Sequence, residues 1–142
     1  MKPIASVNRL YLTSLFLILV SCGLGVGCSD SIGFSVAGKV TFRGQPVPDG
    51  KIYFTPDATK GNTGAPGFAD IKDGAYNTRA SGGVGITGGP MLVRIEGMDG
   101  KSRGADLPYG EQLFLPYETT LDLPKGASTK DFEVPGTVSS AK

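Results

Sequence analysis

The sequence predicts an all-β protein, a seven-stranded antiparallel β-sandwich that follows an N-terminal signal segment. Three observations carry this. Beyond the N-terminus, apolar and polar residues alternate with period two in short runs, as half-buried strands require. Turn signals separate the runs, drawn from 22 Gly and 10 Pro in 142 residues. No stretch of ten residues after the first apolar run repeats with a helical period, and short strands punctuated by turns pack as two sheets.

The first element is a targeting segment. Lys2 and Arg9 form a basic flank. Residues 10–20, LYLTSLFLILV, are nearly all apolar. The run matches the apolar region of a signal peptide and falls short of the roughly 20 residues that span a bilayer. A core helix or an uncleaved anchor are the alternatives, and the three glycines at positions 23, 25 and 27 would extend such a helix poorly.

The strands follow in order. Val36, Gly38, Val40 and Phe42 share one face, with Lys39, Thr41 and Arg43 on the other. Gly44 and Pro46 turn the chain, and Pro48-Asp49-Gly50 turns it again. Ile52 and Phe54 point inward from the next strand, which Pro56 ends. Residues 57–67 lack alternation and are expected as an exposed loop. Phe68 is expected inward on a strand that turns through Asp73-Gly74 into a strand carrying Tyr76. Residues 80–89 read as a flexible Gly-rich loop. Met91, Val93 and Ile95 line the inner face of the strongest strand. A long polar connection, 97–116, precedes the last two strands, where Leu121, Phe132 and Val134 are expected inside. The domain boundaries are therefore 1–21 for the signal peptide, 22–34 for a tether, 35–136 for the β-domain and 137–142 for a disordered tail.

Two resemblances sharpen this outline. Leu19-Val20-Ser21-Cys22 resembles the lipobox of bacterial lipoproteins, whose cysteine receives diacylglycerol before cleavage on its N-terminal side. Gly25-Val26-Gly27-Cys28 is a weaker match, so Cys28 is the alternative, with the signal then reaching residue 27. A Cys22–Cys28 disulfide is the competing reading of the only two cysteines. Residues 36–54, with Val36, Gly38, Val40, Gly44, Pro46, Ile52 and Phe54 at the marked positions, resemble the opening of a carboxypeptidase regulatory-like domain. Asp73-Gly74-Ala75-Tyr76 and Asp131-Phe132-Glu133-Val134 extend the match. Lipobox and body together are similar to small predicted lipoproteins of planctomycete-type bacteria. The resemblance implies a transthyretin-like, or prealbumin-like, sandwich and transfers no catalytic residue.

Chemistry is thin. His is absent, which removes His-dependent triads and His-ligated metal. The 14 Lys and Arg balance 13 Asp and Glu, and without Lys2 and Arg9 the mature chain would be near −1, so neither a nucleic acid nor an anionic lipid is sought through bulk charge. Membrane lipid would instead be engaged through the acyl chains, at about 0.8 kcal/mol per buried CH₂. Gly83-Val84-Gly85-Ile86-Thr87-Gly88 has dinucleotide-loop spacing, but a strand rather than a helix is expected after it. Asp49, Asp57, Asp70 and Asp73 read as turn caps and surface charge before they read as a Ca²⁺ site. No cofactor, metal or catalytic residue is assigned. Residues 107–117 concentrate apolar residues in a presumed loop, which either packs down on the sandwich edge or offers a contact surface; in the second case Tyr109, Phe114 and Tyr117 are the candidate contacts for a ligand or partner. The expected function is a cell-envelope lipoprotein with a non-enzymatic structural or protein-interaction module; a carbohydrate- or small-ligand-binding module is the alternative.

Overall fold

Alternation along each segment sets which face turns inward, and two tight turns set the registers. A computed structural model describes residues 33–138, so the signal segment, Cys22 and Cys28, the tether up to residue 32 and the last four residues lie outside the described residues. The described chain is all-β. Its strands are β1 (Val36–Phe42), β2 (Gln45–Pro46), β3 (Asp49–Pro56), β4 (Gly67–Lys72), β5 (Ala75–Asn77), β6 (Gly89–Met98), β7 (Tyr117–Leu123), β8 (Ser128–Thr129) and β9 (Phe132–Val134). The one helical feature among them is a 3-10 turn, Ala58–Lys60.

The strands form one curled sheet in the order β2-β1-β5-β4-β3-β6-β7, antiparallel throughout, while β8 and β9 pair with β1. Ala37 faces Asn77 of β5 on one side and Thr129 of β8 on the other, so β8 and β9 occupy the far edge of β1. Their pairing with β1 is parallel, unlike the antiparallel pairing expected, because the chain crosses from β7 at one edge of the sheet to the opposite edge. The strands β1 and β2 join through Arg43 (φ 53°) and Gly44 (φ 75°), and β4 and β5 through Asp73 (φ 49°) and Gly74 (φ 75°). Positive φ at both central residues matches the right-handed twist of the flanking strands, and Asp-Gly is the favoured sequence for it.

The core lies on the concave face. Val36, Val40, Ile52, Phe54, Met91, Val93 and Ile95 are buried as the alternation demands, as are Tyr76, Phe132 and Val134. Tyr76 links two aromatic neighbours, with ring centroids 6.1 Å from both Phe54 and Phe132. Phe42 and Leu121 pack only partly buried against this cluster. On β4 the expected face is reversed. Ala69 pairs with Ile52, and Ile71 with Tyr76, so these two residues turn inward. Phe68 pairs with Tyr53 on the outer face, where the Lys51 ammonium lies 5.0 Å from its ring. One residue of register exchanges every side chain between faces.

The loops contribute more to the core than their composition suggests. Residues 83–88 are tied to the sheet by two isolated bridges. Phe34 and Ile86 exchange backbone hydrogen bonds of 2.6 and 3.0 Å, Phe68 and Val84 bonds of 3.1 and 2.8 Å, and Ile86 is fully buried. The sheet therefore begins at Phe34, inside the segment assigned to the tether. Val138, assigned to the tail, packs against the core cluster, and its carbonyl accepts from the Leu115 amide at 3.0 Å.

Gly38 supports the far edge. A Cβ there would overlap the Lys130 carbonyl, so only glycine admits the kink at Lys130-Asp131 that separates β8 from β9. The Tyr76 hydroxyl donates to that carbonyl at 2.6 Å, and the Lys39 amide donates to Asp131 Oδ1 at 2.7 Å. Side chains thus replace the missing ladder bonds at the kink.

Candidate functional site

The outer face of β4, β3 and β6 carries a cleft that the excursion between β6 and β7 partly roofs. Outward positions on β3 are Asp49, Lys51 and Tyr53, set two residues apart by the pleat. Their neighbours form cross-strand rows. Asp49 lies between Lys72 and Met98, Lys51 between Asp70 and Glu96, and Tyr53 between Phe68 and Arg94. Opposite charges in such rows stabilise the pairing modestly. Lys51 Nζ is 3.2 Å from Asp70, Lys72 pairs with Asp49, and Arg94 bonds Glu96 at 2.5 Å. The cleft so bounded has a volume of about 290 Å³, with Tyr109 on its rim.

Asp99 builds the roof. Its carboxylate accepts from the Lys101 amide at 2.9 Å and the Glu111 amide at 3.0 Å, which tightens the excursion at its base. These two bonds, the one from Lys101 first, hold its carboxyl below the usual carboxylate range, aided by Arg103. Arg103 also pairs with Glu111. Gly110 (φ 84°) passes the Asp99 carboxylate so closely that a Cβ would overlap it. The backbone closes the excursion with Asp99 N donating to Glu111 O at 2.9 Å and Gly100 N to Tyr109 O at 3.0 Å. Tyr109 is thereby held 58% exposed, its ring 5.4 Å from the Lys72 ammonium.

The three contact candidates part company. Tyr109 reaches the cleft. Phe114 is fully buried, 4.9 Å ring to ring from Phe42, and is a core residue rather than a contact. Its place exists because Gly97 has no side chain: a Cβ there would lie 2.5 Å from the Phe114 ring. Tyr117 pairs with Ile95 and packs against the core from the concave side of β7, the opposite side of the sheet from Tyr109. Lys51 and Lys72 were not singled out from sequence, although their outward positions follow from the alternation that places Ile52 and Ile71 inside.

Charge pairing dominates the chemistry of the cleft. The hydrogen bond to Asp49 raises the Lys72 ammonium above its ordinary value, so Lys72 remains a cation and a hydrogen-bond donor. Elsewhere, Asp57 caps the 3-10 turn, accepting from the Thr59 amide at 3.1 Å and hydroxyl at 2.5 Å. These bonds, the hydroxyl's first, lower its carboxyl. The buried Thr78 hydroxyl accepts from the Val36 amide at 2.9 Å. Among the described residues no group of three or more His, Cys, Asp or Glu is placed to hold a metal ion, and no helix is long and apolar enough to cross a membrane. An exposed ring beside paired donors and acceptors is suited to binding a polar ligand with a flat apolar face.

No protein-family model matches the chain, and a search of curated proteins finds no match.

Proposed function

We propose that the chain is an exported, acyl-anchored cell-envelope lipoprotein whose β-domain serves as a non-enzymatic structural or protein-interaction module. One observation carries the reading: a basic flank and an eleven-residue apolar run end at Leu19-Val20-Ser21-Cys22, just ahead of a folded all-β unit. The acyl chains on Cys22, or on Cys28 in the alternative, hold the domain at a membrane lipid surface outside the cytoplasm. The domain is a transthyretin-like sandwich of the carboxypeptidase regulatory-like kind. The glycine at position 38 against Lys130 and the tight turns at Arg43-Gly44 and Asp73-Gly74 support this, because the resembling motif has glycine at these places. Metabolic labelling with palmitate tests the anchor. Label is expected in the wild-type protein and lost from the Cys22→Ala, Cys28→Ala double variant; label retained by that variant refutes the anchor.

A second reading has its own observation. Tyr109 and Tyr53 flank the cleft between Lys72-Asp49 and Lys51-Asp70, an arrangement that offers a sugar both a stacking ring and paired polar groups. A glycan array with full-length protein and Tyr109→Ala decides it. Binding that the substitution abolishes favours a carbohydrate module, and no glycan binding removes it.

A further inference from the structure

The curled sheet ends in two edges, and they face each other across a slot of about 230 Å³ lined by β7 and by residues 130–133. Among the described residues β7 pairs with β6 alone, and β9 with β1 alone. Each strand therefore presents unpaired backbone donors and acceptors on its outer edge. The β7 edge is seven residues long and contains no proline, lysine or glycine.

Charge distinguishes among the strands that could add there. Glu118 and Asp122 lie on the outer face of β7, with Thr120 between them; Thr119 and Leu121 lie on the inner face. Neither acid is in an ion pair among those described. Arg94, the β6 neighbour of Glu118, bonds Glu96 instead. Across the slot Asp131 and Glu133 are exposed as well, and Lys130 is the one cation of its lining. A second copy pairing antiparallel about Thr120 would set Glu118 against Asp122 of its partner, like charge against like, which is destabilising. A strand with cations at these two positions would meet both acids.

We propose that the β7 edge takes up an extended segment of a partner protein by strand addition, and that the segment carries basic residues two apart from a central polar one, with apolar residues between them. Backbone bonds supply affinity and the alternate side chains supply specificity. The basic residues sit opposite Glu118 and Asp122, and the apolar ones turn to Leu121 and Phe132. This deepens the interaction-module reading and rests on it.

The probes are the peptides Thr-Lys-Val-Thr-Val-Lys-Thr and Thr-Glu-Val-Thr-Val-Glu-Thr, added to detergent-solubilised full-length protein. Affinity is read by fluorescence anisotropy and the site by hydrogen exchange. The lysine peptide is expected to bind and to slow exchange across residues 117–123. The Glu118→Lys, Asp122→Lys variant is expected to bind it at least about tenfold more weakly, and to prefer the glutamate peptide. The idea fails if the lysine peptide does not bind, if protection falls elsewhere, or if charge reversal changes nothing. Protection of β7 that deepens with protein concentration alone would put a second copy there and overturn it too. A partner captured from solubilised envelope equally by wild type and variant would refute the edge while leaving the interaction module standing; capture by neither would remove the module.

Discussion

Replacing Phe114 with alanine separates two descriptions of the 97–116 connection. As a surface contact, the ring would be worth little to the fold, and its removal would change stability by no more than about 0.5 kcal/mol. In the structure it is fully buried, its ring tilted against that of Phe42 at 4.9 Å and set against Gly97. Truncating a buried Phe costs about 3–5 kcal/mol, the transfer term plus the cavity left behind. The upper part of that range applies, because Gly97 has no side chain to move into the void and β6 is held in register on both sides. Against a total of about 5–15 kcal/mol for a domain, the loss is about a quarter or more. The melting temperature should fall by roughly 16–30 °C, at about 4–6 °C per kcal/mol. Urea unfolding followed by circular dichroism gives the free energy, with Tyr109→Ala as the exposed control. A Phe114→Ala domain as stable as that control would refute the placement of the ring and the packing of the whole connection.

Three further outcomes follow from the same geometry. Tyr76→Phe removes the donor to the Lys130 carbonyl and should cost about 1–2 kcal/mol in urea titrations. Burial, then Asp131, also raises the Tyr76 phenol above its ordinary 10.0, so its contribution is complete below pH 10 and is lost as pH rises further. Alkaline difference spectra should accordingly show one tyrosine that ionises only with unfolding, and this component should vanish in the Phe variant. For Asp99 the sign is opposite. Its carboxyl is depressed, so the order it gives the excursion is full above the ordinary 3.8 and lost as pH falls through the lower folded value. Exchange protection at residues 99–111, taken relative to the intrinsic rate at each pH, should fall in acid before the sheet opens, and Asp99→Ala should show the same loss of protection at neutral pH. Gly38→Ala drives a methyl group into the Lys130 carbonyl and should cost about 1–3 kcal/mol, with exchange protection lost first in β9; unchanged protection there would count against the close approach.

Much of the sheet was legible because alternation and turn chemistry are local. Val36, Ile52, Phe54, Val93 and Ile95 needed no more than period two. Asp73-Gly74 announced its hairpin. The errors share a cause: a property fixed by distant residues. Phe68 is the bulkiest residue of its strand, yet Ala69 and Ile71 turn inward, because Ile52 and Tyr76 sit opposite them. Ile86 lies in a glycine-rich stretch whose backbone finds its partners in Phe34, 52 positions from Ile86, and Phe68, 16 positions from Val84. Phe114 stood with Tyr109 in a presumed loop, read either as packing on the sheet edge or as a contact surface; only Gly97, on β6, reveals that the Phe114 ring has a socket. The cleft was half visible. Tyr109, Asp49 and Asp70 drew notice, but Lys51 and Lys72 acquire meaning only when β3 and β4 align them with those acids.

The two edges are guarded differently, and the contrast bears on the strand addition proposed at β7. On the far edge, β9 has three residues and follows the kink at Lys130-Asp131, so a stranger finds little regular backbone to pair with. Shortness and irregularity protect such an edge against every comer. The edge of β7 has neither device. It is long and regular, and its protection is the charge on Glu118 and Asp122. Charge excludes selectively: it repels another copy of itself and admits a strand of opposite sign. A domain that needed both edges closed could have broken β7 with a proline or a bulge, as the kink breaks the far one. An edge left intact and marked with acids is the arrangement that the proposed addition of a basic strand requires.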